Sequence, residues 1–84
     1  MDYFYTVCEE WMDKEGNIGN RAFSFKQEEG QMDAKDRAAA QFHNLLATGA
    51  VADGYYYMAM IVRSDGWIER EPEVYDRRPK EEEA

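Results

Sequence analysis

GYYYMAMIVRSDGWI, residues 54–68, is an unbroken apolar run from Tyr55 to Val62 that passes through a short polar turn into a second apolar pair. Its aromatic and β-branched bias predicts a strand, and the lack of polar alternation predicts one covered on both faces. The turn decides how the chain returns. With Asp65 and Gly66 as a two-residue turn, Val62 would face Glu69, placing a carboxylate in the apolar row. With Ser64, Asp65 and Gly66 as a three-residue loop and Gly66 left-handed, Val62 faces Ile68 and Arg63 faces Trp67. A one-residue slip exchanges the two faces of a strand, and only the second register sets apolar against apolar. It separates a face of Tyr56, Met58, Met60, Val62 and Ile68, expected to be core, from one of Tyr55, Tyr57, Ile61, Arg63, Trp67, Glu69 and Glu71, expected to be a mixed aromatic and charged exterior.

Downstream, the returning strand becomes charged, and Pro72 donates no ladder hydrogen bond, so any continuation past Glu71 belongs at a sheet edge. RRPKEEEA, residues 77–84, has no apolar residue before the final alanine and reads as a disordered charged tail behind a single compact domain of residues 1–76. Upstream, DYFYTVCEEWM, residues 2–12, is a further strand with Tyr3, Tyr5, Val7 and Trp11 on one side and Phe4, Thr6, Cys8 and Met12 on the other. Which side is buried stays open. DKEGNIGN, residues 13–20, has the composition of a hairpin loop, and RAFSFK, residues 21–26, alternates cleanly with Phe23 and Phe25 inward.

Asp33 is placed to cap a helix, with Asp36 in its acidic first turn. From Ala34 to about Thr48, Ala38, Ala39, Phe42, Leu45 and Leu46 recur at helical spacing, and Gly49 supplies a stop signal. The resulting order is strand, strand, helix, strand, strand. It predicts an α+β fold, an antiparallel four-stranded sheet with one helix packed on one face.

Composition bounds the chemistry. A chain of 84 residues forms one small core, and its lone cysteine, Cys8, excludes an internal disulfide framework. No apolar span reaches the length of a membrane helix and no leader is recognisable, which points to a cytoplasmic protein without membrane contact. The formal net charge of −8 opposes direct nucleic-acid binding and favours a protein partner with a basic surface.

Catalytic candidates are few. His43 is the single histidine and has no companion ligand at metal spacing, so no metal or cofactor is expected. Cys8 stands beside Glu9 and Glu10, whose charges oppose a thiolate. Glu9 and Glu10 point to opposite faces of a strand and cannot converge on a substrate, so they and the pair Glu28 and Glu29 read as solvated surface. The glycines of EGNIG meet a strand where a phosphate loop needs a helix. No enzyme is expected.

One helix covers one face of a four-stranded sheet, yet two strands carry large apolar groups on both. The remaining face is then expected to expose aromatic groups to a partner, either a second copy in a homodimer or another protein. Tyr55, Tyr57 and Trp67 are the candidate anchors, with Glu69 and Glu71 beside them. The short acidic chain, with DYFYTVCEEWMDKEGN, RAFSFK and the final hairpin around one helix, resembles accessory proteins of bacteriophages and other mobile elements, including anti-CRISPR proteins. That resemblance implies an inhibitor that occupies a surface of a host nucleic-acid-handling protein. The alternative is a homodimeric structural or small-ligand-binding module.

Overall fold

The computed structural model describes residues 3–51 and 54–78. The elements in chain order are β1 (Tyr5–Met12), β2 (Ile18–Phe25), α1 (Ala34–Val51), β3 (Tyr56–Arg63) and β4 (Ile68–Asp76). All neighbours pair antiparallel in the order β2-β1-β3-β4, so the two hairpins lie side by side with β1 and β3 at the centre. Helix α1 packs on one face, giving the α+β architecture that the residue pattern predicts.

Local chemistry accounts for the joints. The Asp33 carboxylate accepts the backbone N–H of Lys35 at 2.8 Å, and the Arg37 N–H closes the first turn on the Asp33 carbonyl at 3.0 Å. In the second hairpin Val62 pairs with Ile68, as expected. The Gly66 N–H reaches the Arg63 carbonyl at 2.8 Å with Gly66 at φ 93°, a conformation that glycine adopts without a Cβ clash. Beyond that turn β4 departs from simple alternation. Ile61 pairs with Arg70 and Ala59 with Glu73, so β4 holds one extra residue at Glu69 and another at Glu71 or Pro72.

The faces of β3 are the reverse of the expectation. Tyr57, Ala59 and Ile61 lie beneath the helix with Tyr5, Val7, Ala38 and Phe42, whereas on the uncovered side Met60 and Val62 are only half-buried and Met58 is buried as expected, at 8% exposure. The cause is shape. Ala59, with no exposure at all, lets the helix approach the centre of the sheet, and the alanine row of the helix matches it. The charged groups that marked this face as exterior sit past the helix footprint or on the bulged edge.

Three boundaries also differ. β2 begins at Ile18, inside the stretch read as loop. α1 runs through Gly49 to Val51, because Gly49 is needed inside the helix, where the ring of Tyr57 lies against it. Arg77 is not idle tail: its N–H donates to the Tyr55 carbonyl at 2.6 Å and its guanidinium to the Gly49 carbonyl at 3.1 Å. Asp2 of the first strand reading and residues 79–84 of the tail reading lie outside the described residues.

Candidate binding sites

The residues named as partner anchors do not form one patch. Tyr57 is 7% exposed and belongs to the core, so it is no surface anchor. Tyr55 is half-buried and precedes β3, whereas Trp67 follows that strand's other end; at roughly 3.3 Å per residue they stand about 25 Å apart. Glu69 is half-buried and forms an ion pair with Lys35 of the helix at 3.5 Å, while Glu71 is exposed on β4.

Trp67 is 60% exposed at the end of the hairpin turn. Its backbone N–H donates to the Asp65 carboxylate at 3.2 Å, and that carboxylate receives two bonds from the Arg63 guanidinium, at 2.8 and 2.7 Å. Arg63 in turn lies 4.1 Å from the ring of Tyr3 and 5.7 Å from that of Trp67. The Ser64 N–H donates to the Phe4 carbonyl at 2.8 Å, tying the N-terminal segment to the hairpin. Tyr3 and Trp67 therefore flank one arginine in an exposed aromatic corner, with Phe4 exposed next to Tyr3 in the chain. The corner's own charges are largely paired with one another. Hydrogen bonding to Arg63 holds the Asp65 carboxyl down at about 2.

A second site escaped the sequence reading. Glu9, taken there for solvated surface, is 2% exposed. Its carboxylate accepts the Tyr57 hydroxyl at 2.7 Å and the Arg21 Nε–H at 2.6 Å, and Arg21 lies over the rings of Trp11 and Phe23. Burial, followed by the hydrogen bond to Glu9 and its charge, pushes the Tyr57 hydroxyl well above its ordinary range. The signal was present in the hairpin register: Glu9 pairs with Arg21 when Tyr5 pairs with Phe25, placing opposite charges in two facing apolar rows. Above Glu9 a pocket of about 230 Å³ opens between the sheet and the helix end, walled by Trp11, Met12, Leu45, Gly49 and Arg77.

The pocket lining contains neither histidine nor cysteine. Cys8 lies on the opposite face, where burial and the charge of Glu10 raise its thiol. Among the described residues no three His, Cys, Asp or Glu side chains cluster to hold a metal. His43 is exposed and contacts only the edge of Phe42 among ring partners. No family model, curated protein or solved structure matches the chain. No helix among the described residues is long and apolar enough to cross a membrane.

Proposed function

We propose that the chain is a non-enzymatic protein-binding inhibitor or adaptor of the phage or mobile-element accessory kind, and that it engages a basic surface of a host nucleic-acid-handling complex through the Trp67 corner. The observation that carries this reading is the exposure of Trp67 beside the Arg63–Asp65 pair, with the Arg63 guanidinium 5.7 Å from the centre of its ring. A large exposed aromatic group on a hairpin turn that its own hydrogen bonds tie down is the kind of side chain that serves as an interface anchor. The charge of −8 acts at longer range, speeding approach to a basic partner, with Glu71 as an exposed acid on the same hairpin.

Glu9 supports the non-enzymatic part of the proposal. Each of its oxygens already accepts a hydrogen bond from within the fold, one from the Tyr57 hydroxyl and one from the Arg21 guanidinium. The pocket above it favours a small-ligand reading, but its volume falls below the roughly 300 Å³ at which ligand sites begin. Protein binding therefore ranks first. The test is affinity capture from bacterial lysate at low and high salt, with mass spectrometric identification. A basic nucleic-acid-handling protein retained more strongly at low salt supports the proposal, and retention of nothing beyond the bare resin contradicts it.

A further inference from the structure

The pocket beside Glu9 owes its aromatic walls to two glycines. Trp11 pairs with Gly19 across the β1–β2 ladder, and its indole lies so close to that glycine that any Cβ there would collide with the ring. The ring of Tyr57 lies against Gly49 in the same way, and Met12 and Leu45 add apolar wall. The buried polar group on the lining is the Glu9 carboxylate, 2% exposed. A carboxylate offers about four lone-pair sites, and the fold fills one on each oxygen, with the Tyr57 hydroxyl and the Arg21 Nε–H. Acceptor capacity is left over.

Size and charge narrow the occupant. A cavity of about 150 Å³ holds benzene, so the 230 Å³ here suits a single ring with a few further atoms and falls short of a cofactor-sized ligand. The charged side chains on the lining are Glu9, Asp13, Arg21 and Arg77, two of each sign. Arg21 and Arg77 oppose an ammonium group, while the net charge of −8 opposes an anion. We propose that the pocket binds an uncharged single-ring aromatic compound whose O–H or N–H donates to the Glu9 carboxylate while its ring lies among Trp11, Tyr57 and Leu45. A buried hydrogen bond to a charged acceptor is of the strong kind, and it sets the preference for a donor over a plain hydrocarbon. The pocket stands at the start of β3 and Trp67 beyond its other end, so this inference does not rest on the Trp67 corner.

The experiment is a titration of the isotopically labelled full chain, followed through its backbone amides, with phenol, toluene, benzoate and benzylamine as separate probes. Phenol is expected to give saturable shifts at Leu45, Gly49 and Tyr57 with a Kd of about 1 mM, a range open to a ligand of so few atoms. Toluene, which keeps the ring without the donor, should bind about tenfold more weakly or worse, and so should the two ions. Comparing probes reads the role of Glu9 without altering a buried side chain. Thr48→Phe, which sets a ring at an exposed position on the pocket rim, should remove the phenol shifts, whereas Trp67→Ala should leave them unchanged. Absence of saturable shifts at these three amides overturns the proposal. So does toluene or either ion binding as tightly as phenol, or phenol binding undiminished to Thr48→Phe.

Discussion

The ring of Tyr57 lies so close to the backbone of Gly49 that a Cβ built on the glycine would stand 2.6 Å from Tyr57 Cγ. Helix propensity alone favours alanine over glycine by about 1 kcal/mol. Here packing prevails. Gly49→Ala should destabilise the fold, by about 1–3 kcal/mol from the forced displacement of helix or ring. The check is a denaturant melt of this variant beside Ala47→Gly, an exposed helix position where the glycine should show only the ordinary propensity loss.

The inverted faces of β3 give a paired test. Ile61 is 1% exposed, and Ile61→Ala should cost about 3 kcal/mol through lost burial and the cavity left behind. Val62 is half-buried on the uncovered side, so Val62→Ala should cost about 1 kcal/mol. Equal losses in chemical denaturation would contradict the assignment of the helix to the Ile61 face.

The order of elements and the turn at Ser64 were legible because each rests on local rules, the pairing of Val62 with Ile68 and the cap at Asp33 among them. The choice of face was not. Tyr57 and Ile61 compete with Met60 and Val62 for the place beneath the helix, and residue polarity favours the wrong set because Arg63 and Glu69 share the parity of Ile61. What settles it is the small size of Ala59 and Gly49, which matters only once helix and sheet are docked. Glu9 illustrates the same limit. A carboxylate in an apolar row becomes satisfiable when the strand on one side supplies Arg21 and the strand on the other supplies the Tyr57 hydroxyl.

Acid stability should report on the turn. The Asp65 carboxyl in the folded chain sits at about 2, whereas the unfolded chain titrates near its ordinary value of about 3.9. Its contribution is therefore fully present above about pH 4 and is lost as pH falls through about 2, because the unfolded chain takes up the proton first. Thermal melts should show the parent losing more stability over that interval than Asp65→Asn. Parallel curves would mean that the pair with Arg63 has no effect on folding.

Tyr57 gives the opposite sign at high pH. Its hydroxyl is raised above the usual value of about 10, so the folded chain keeps a proton that the unfolded chain releases, and stability should fall as pH rises past about 10. Tyr57→Phe leaves Glu9 with one fewer donor and should destabilise the fold at neutral pH by about 1–3 kcal/mol. It should also flatten the alkaline decline, which melts at neutral and alkaline pH would compare directly.

The claim that Trp67 is the partner-contact anchor is tested most directly by using three baits in parallel capture from bacterial lysate: the parent, Trp67→Ala and Val74→Ala. Trp67 and Val74 are both exposed, at 60% and 49%, so neither substitution should move the melting temperature by more than about 5 °C. The predicted result is a basic protein retained by the parent and by Val74→Ala and lost by Trp67→Ala. Retention by Trp67→Ala, or loss by Val74→Ala alone, would contradict the account and move the contact to the uncovered face of the sheet.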